Sequence, residues 1–493
     1  MSVASLLQQK PGVSGEIDGG GPSESFLDEI DGGDPSPGLY GALDGGPVTT
    51  GSLIGVGDWR LVVEALLPET GSALWDFARW DEDVWGELDW YDLTPYVRGM
   101  EWRRGADAYL GRPRVGSATI TLDNADARWS PWNPDPPAGS VAYFAPGTVV
   151  RCGVVSDTDT RAGGWIPQFT IITDSWSESL FGVGADSWID LAGFETLGWL
   201  AGIDDNALPS PVGSGEGAAQ RLVRLLDAAE WPFGLVVDAE NLDPVTEYPL
   251  LSTDMAANRI AECYQVADSS DVWFRSSRKG EAIAENLVNS TVARTSDVWP
   301  LIDFGVSTPN PHVAFVPFDD DPDTVLYVTY DADSFSTATD AEHIMNDARW
   351  ARSGGTQQIV EHAASIARYG RRSQPRTDLL NDNDTDVAAL AALEVNARAR
   401  STIRVQAVTI ASSDRGDDKY LATIAADIGV PCDAYPPGTV KADLGDQPGL
   451  GGRIESMTHR ITPRSAGHIT WQTVFGVATS EVRNLVAGEL PAL

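Results

Sequence analysis

Between Ser117 and Leu122 the chain reads Ser-Ala-Thr-Ile-Thr-Leu, alternating hydroxyl-bearing and apolar residues without a break. Successive side chains of a strand point to opposite faces, so Ala118, Ile120 and Leu122 share one face and Ser117, Thr119 and Thr121 the other. A strand with one dry and one wet face belongs to an antiparallel sheet, because parallel sheets are covered on both sides and read as continuous apolar runs. Further strands are expected near Val149 to Val155, Phe169 to Thr173 and Ser187 to Leu191, which makes the first folded unit all-β. Trp75, Trp80, Trp85 and Trp90 recur every five residues, a spacing that fits neither a helix nor a strand, so they cannot form one regular stripe. They are expected to be loop and core anchors, with an aromatic sugar-binding platform as the sharper alternative.

Helical spacing enters later. Gly217 to Glu230 places Ala218, Leu222, Leu225, Leu226 and Ala229 on one face, with Ser214 as cap and Pro232 as stop. A second helix, about Thr253 to Ala267, aligns Ala256, Ile260, Cys263, Tyr264 and Ala267. Asp271 to Arg275 and Glu281 to Ala284, joined around Lys279-Gly280, predict a hairpin. Thr339-Asp340-Ala341-Glu342 matches a capping box and predicts a helix to about Ala351. Another helix runs to Tyr369 and ends at Gly370, a final one spans Asp386 to Ser401, and strands follow from Thr402 to Ile410. Arg453 to Ile461 and His468 to Val477 form a closing hairpin turned by Pro463 to Gly467. Strand runs interrupted by short helical blocks indicate an α+β fold, mainly β, and not a doubly wound parallel sheet.

The chain has 493 residues, a prior of about three domains at roughly 150 residues each. Its 34 basic and 72 acidic residues leave a net charge of −38, while 42% of residues are hydrophobic, more than disordered acidic chains carry. Phosphate binding needs clustered positive charge, so specific nucleic-acid binding is not expected, nor is attraction to an anionic membrane surface. The basic residues are 30 arginines against 4 lysines, a bias that fits a GC-rich genome or a high-salt host equally. No run approaches the roughly 18 apolar residues of a membrane span, and no secretory leader is evident. Cys152, Cys263 and Cys432 show no metal or disulfide spacing and are expected to be buried hydrophobes.

Residues 1 to about 50 repeat a short unit: Glu16-Ile17-Asp18-Gly19-Gly20, Glu29-Ile30-Asp31-Gly32-Gly33 and Ala42-Leu43-Asp44-Gly45-Gly46, each 13 residues on. Asp-Gly pairs favour turns, so this is a flexible arm, either merely solvated or ordered along a neighbouring subunit. Domain boundaries are expected at 1–50 (arm), 51–195 (first β unit), 196–310 (an α/β insert with helices and hairpin) and 311–493 (a second β unit with helices and the closing hairpin).

A search for chemistry finds no catalytic constellation. The five histidines, His312, His343, His362, His459 and His468, never take the i, i+4 spacing of a zinc helix; the closing hairpin could bring His459 and His468 near each other, but both are expected at the surface. Gly213-Ser214-Gly215-Glu216-Gly217 precedes a helix like a phosphate loop, yet it lacks the lysine and sets Glu216 where an anion would sit. Asp319 to Asp323 and Asp382 to Asp386 supply acids at the first calcium-loop positions, but Thr324 and Val387 replace the glycine and Tyr330 and Leu393 the bidentate glutamate. With so many carboxylates, a glycosidase pair cannot be chosen by spacing. No catalytic, cofactor-binding or metal residue is therefore assigned.

Three segments carry a resemblance: Val97-Arg98-Gly99-Met100-Glu101-Trp102-Arg103-Arg104-Gly105, then Gly116 to Asn124, then Arg128-Trp129-Ser130-Pro131-Trp132-Asn133-Pro134. They resemble the opening domain of minor tail proteins, the baseplate or tail-tip hub group of long-tailed phages and related tailed viruses. Pro146 to Arg151, Gln220-Arg221-Leu222 through Trp231-Pro232, Tyr369 to Ser373, Gly452 to His459 and Trp471 to Phe475 keep the family's order. The resemblance spans roughly residues 58 to 480 and implies a non-enzymatic virion protein. It implies tail-tube-like antiparallel β-barrels with inserted α/β parts and a homotrimer whose two barrels per chain match a six-fold tail ring. The implied partners are the distal tail ring, the tape measure and tip or receptor-binding proteins, with DNA passing through a lumen that acidic residues keep from sticking. Two other readings stand beside it: a carbohydrate-active or glycan-binding tail-tip protein, and the hexameric distal tail ring protein.

Overall fold

The computed structural model describes residues 59–68, 88–106, 113–130, 132–133, 144–156, 165–179, 186–203, 213–237, 248–253, 258–270, 272–286, 301–305, 325–329, 335–338, 343–401, 404–412, 423–424, 426–428, 431–434, 450–463 and 469–479. The N-terminal arm, Trp75, Trp80, Trp85, His312, His468 and the acids 319–323 lie outside these residues. Seven strands open the fold: β1 (Trp59–Pro68), β2 (Leu88–Asp92), β3 (Val97–Ala106), β4 (Pro113–Asp123), β5 (Val149–Ser156), β6 (Trp165–Ser179) and β7 (Trp188–Glu195). They pair antiparallel in the order β3-β4-β7-β6-β5-β1-β2. The alternation in β4 is borne out: Ala118, Ile120 and Leu122 are buried while Ser117 and Thr119 are exposed. Register places Ile120 between Met100 of β3 and Leu191 of β7, and Leu61, Val63, Trp102 and Trp129 complete the core. Each such side chain removed from water contributes roughly 1.5–3 kcal/mol.

The next unit contains α1 (Ala218–Ala228), β8 (Leu235–Val237), α2 (Arg259–Asp268), β9 (Val272–Ser276) and β10 (Ala282–Asn286). All five residues of the expected α1 face are buried, together with Cys263, Val266 and Phe274. The cap, however, is Gly217 and not Ser214; the Gly217 N–H donates to Gln220 Oε1 at 3.4 Å. β9 and β10 form the expected hairpin, and β8 joins β10 in parallel.

Then come β11 (Leu301–Gly305), β12 (Val325–Thr329), β13 (Phe335–Ala338), β14 (Asp347–Arg352), β15 (Gln358–Glu361), α3 (Ala363–Tyr369), β16 (Ser373–Leu379) and α4 (Asp384–Arg398). The helix expected from 339 to 351 is instead, over residues 347–352, the central strand β14, flanked by β15 and β16. Local propensity yields there to tertiary pairing: Ala348 and Trp350 alternate into a core with Leu379, Val387, Leu390, Ala391 and Val395, and Trp350 Nε1 donates to the Gln374 carbonyl at 3.2 Å. α3 ends as expected at Gly370, whose φ of 76° suits a residue without Cβ.

The chain closes with β17 (Arg404–Ser412), β18 (Pro431–Ala434), β19 (Leu450–Pro463) and β20 (Ile469–Thr479). β20 lies along one edge of β19. On its other edge β19 changes partner, pairing with β18 from Leu450 to Arg453 and with β3 from Ser456 to Ile461. The change occurs at Gly105, where φ is 93° and a Cβ would run into the Glu455 carbonyl and lie 2.8 Å from Ile428 Cδ1. One sheet thus joins the opening segment to the closing hairpin. The fold is α+β, mainly β, and among the described residues the path of this sheet has ends at β2, β12 and β13 and does not close on itself.

Candidate functional site

Among the described residues, the densest group of buried ionisable side chains sits where β3, β7, the β9–β10 hairpin and residues 423–424 and 426–428 meet. Strand β9 is buried along its whole length, so Arg275, the neighbouring Arg278 and β3's Arg104 must find partners inside the protein. Arg104 donates from Nε to Glu195 Oε1 at 2.6 Å, from Nη1 to Asp427 Oδ1 at 2.7 Å and from Nη2 to the Ser276 carbonyl at 2.8 Å. Glu195 also accepts the Gly116 N–H at 2.7 Å. Arg275 pairs with Glu285 at 2.8 Å, and Asp427 Oδ2 lies 3.6 Å from Arg278 and 4.0 Å from Arg275. Arg278 donates to the Ile424 carbonyl at 2.5 Å. Its own carbonyl accepts from Thr170 at 3.0 Å, and Thr196 donates to the Gly280 carbonyl at 2.6 Å.

Burial would raise the Asp427 carboxyl, but the charges of Arg104, Arg278 and Arg275 and the Ile428 N–H outweigh it and hold the group down at about 2. Desolvation, with its two arginine neighbours, brings Arg278 down to about 10 against the pull of Asp427, which leaves it protonated at neutral pH. Three guanidiniums therefore face three carboxylates, each engaged by an opposite charge. These pairs fix the hairpin and residues 423–424 and 426–428 against the sheet.

Beside it, Trp102 stacks on His459 at 4.4 Å between ring centroids and meets Trp471 edge-on at 5.7 Å. His459 is buried, contrary to the surface position expected of it, with Nδ1 3.0 Å from Thr473 Oγ1 and 3.2 Å from Trp471 Nε1. Burial, reinforced by Arg278 and Arg104, pushes its imidazole well below the ordinary histidine range, so it is neutral. The available signal was the alternation of β19: Met457, His459 and Ile461 are buried, whereas Thr458 is half-buried and Arg460 exposed.

The other residues singled out in the sequence are accounted for locally. The Glu216 carboxylate occupies the cradle of its own glycine-rich loop, bonded to Arg221 Nε at 2.7 Å and Arg224 Nε at 2.8 Å. Arg221 also donates to the Gly213 and Leu251 carbonyls. Asp382 to Asp386 form a helix start: Asn383 Oδ1 caps the Asp386 N–H at 2.9 Å, and Asp384 pairs with Arg352 at 2.8 Å. Cys152 and Cys263 are buried free thiols. Trp90 lies under the Arg151 guanidinium at 3.8 Å, and Arg151 is itself paired with Glu64. Among the described residues no group of three or more His, Cys, Asp or Glu side chains is arranged to hold a metal ion, and no helix is long and apolar enough to cross a membrane.

No protein-family model and no curated protein matches the sequence. Among solved structures, the chain is similar to the tail protein from Neisseria meningitidis MC58 (12% identity, 85% of this chain and 96% of that one, TM-score 0.46). It is also similar to the 43 kDa tail protein of prophage MuSo2 from Shewanella oneidensis (12%, 86% and 98%, 0.45). A third likeness is to the prophage tail protein gp18 from Listeria monocytogenes EGD-e (10%, 87% and 97%, 0.41).

Proposed function

We propose that this chain is a non-enzymatic structural protein of a virus tail, placed at the tail tip as the hub that closes the distal end of the tube. The observation that carries the reading is the pairing of β3 with β19: Arg460 reaches Glu101 at 2.6 Å across 359 residues of sequence. The opening and closing segments that resemble tail-hub proteins, at β3, β4, β5, β19 and β20, thereby meet in one sheet, and their distinctive residues are framework. Trp102 and Trp471 pack the core, Gly105 lets β19 change partner, and Asn124, Ser130 and Trp132 converge on Glu178 at the turn after β4. These residues join distant parts of the chain.

In this reading, three copies form a ring, with heterologous contacts closed by symmetry. The ring docks on the distal tail ring and tape measure and holds tip or receptor-binding proteins. The net charge of −38 suits a wall past which DNA slides without being held. The division at about residues 50, 195 and 310 belongs to the same proposal. Immunogold labelling of intact particles should mark the tail end, and purified protein should release no reducing ends from host envelope glycans. Label on the capsid, or glycan release abolished by one carboxylate substitution, would overturn it.

A further inference from the structure

The small sheet β15-β14-β16 has two edges of different character. β16 carries Pro375, which cannot donate to an added strand, and is blunted. β15 has no proline, its one hydrogen-bonded neighbour among the described residues is β14, and Ile359 on it is 55% exposed. Register puts Arg349, Ile359 and Pro375 on the face away from α4, together with Asp347, Glu361 and Ser373. The other face turns half-buried Val360 towards the core of α4. Arg371 bridges Asp347, at 2.9 Å, and Glu361 beside this edge, and Arg368 and Arg372 are exposed next to it. Residues 343–401 hold eight arginines against seven acids in a chain whose net charge is −38, so an acidic segment meets little repulsion here.

We propose that β15 is the docking edge for the protein's own N-terminal arm, which adds to the sheet as a short strand through one of its repeats. The arm carries eight acids against the single Lys10, opposite in sign to Arg368, Arg371 and Arg372 beside the edge, although β15 itself carries only Glu361. In an extended Glu29-Ile30-Asp31 the two carboxylates project to one side and Ile30 to the other. Laid along β15, the carboxylates come beside Arg349 and Arg371 and share them with Asp347 and Glu361, which hold them here, and the isoleucine extends the apolar cover over Val360. The following Gly-Gly turns the chain away after a few residues, which suits an edge strand four residues long. Strand addition draws affinity from main-chain hydrogen bonds and specificity from such alternating side chains, and a glycine-rich linker as long as the stretch from Gly32 to Asp58 spans roughly 30 Å. This inference stands independently of the tail assignment.

The test is hydrogen exchange on the full chain and on a variant lacking residues 2–48. Deletion is expected to speed exchange of the outward amides within 357–361 at least tenfold while β14 and α4 stay unchanged. A peptide of residues 24–34 added in excess should restore protection, and the same peptide with Glu29→Lys and Asp31→Lys should not. Equal exchange at 357–361 with and without the arm would overturn the proposal, as would exposure that the wild-type peptide fails to reverse.

Discussion

Replacing Asp427 by Asn tests whether the buried charge cluster is what holds the β9–β10 hairpin on the main sheet. The substitution keeps shape and keeps an oxygen for the Ile428 N–H, but it removes the negative charge facing Arg104 at 2.7 Å, Arg278 at 3.6 Å and Arg275 at 4.0 Å. Three guanidiniums would then face two carboxylates, and breaking a buried pair costs about 3–5 kcal/mol. The pH dependence gives a second figure. A carboxyl held at about 2 in the folded protein and near 3.9 when unfolded contributes roughly 2–3 kcal/mol at neutral pH. The unfolded chain takes up the proton first as pH falls, so this contribution is full above about pH 5 and lost towards pH 2. In a chain of several cores the clean readout is native-state hydrogen exchange, which reports local opening. Asp427→Asn should speed exchange of the β9–β10 amides more than 100-fold at pH 7, with little change between low and high salt because buried pairs are weakly screened. Acceleration below threefold would refute the argument.

Three further outcomes are expected. Ile120→Asp should cost several kcal/mol by burying an unpaired charge, whereas Thr119→Asp, on the exposed face, should change the urea midpoint little; equal losses would contradict the assigned faces. Gly105→Ala should lower thermal stability by about 1–3 kcal/mol, the order expected for strain at positive φ, and an unchanged Tm would mean that β19 can change partner without glycine. The His459 imidazole, kept neutral by burial and by Arg278 and Arg104, should show no titration by NMR between pH 7.5 and 5. Because the unfolded histidine gains a proton below about pH 6.5, the folded state loses stability as pH falls through that point; a normal titration of His459 would place the ring in water.

How far the sequence disclosed this depended on the range of the interaction. β4, α1, α4 and the closing hairpin follow from local periodicity, and each appears close to its expected place. The capping-box match at 339–342 misled because a four-residue signal says nothing of the two strands that sandwich β14. The position of His459 differs from expectation since a lone histidine carries no period of its own, and its neutrality comes from burial against Trp102 and Trp471 and from Arg278 and Arg104, all distant or across a hairpin. The sequence shows of the charge cluster only that Arg275 and Arg278 follow the apolar run Val272-Trp273-Phe274 in a hairpin. Which carboxylates answer them, from residues 195, 285 and 427, is decided by topology, and 72 acids offer no way to choose.

The central claim is a three-copy structural hub at the tail tip, and counting copies in the purified tail is its most direct test. Electron cryo-microscopy of the tail end, with native mass measurement of the released tip, should find three copies of this chain around the tail axis in continuity with a six-fold ring. Six copies, or a position away from the distal end, would contradict the account.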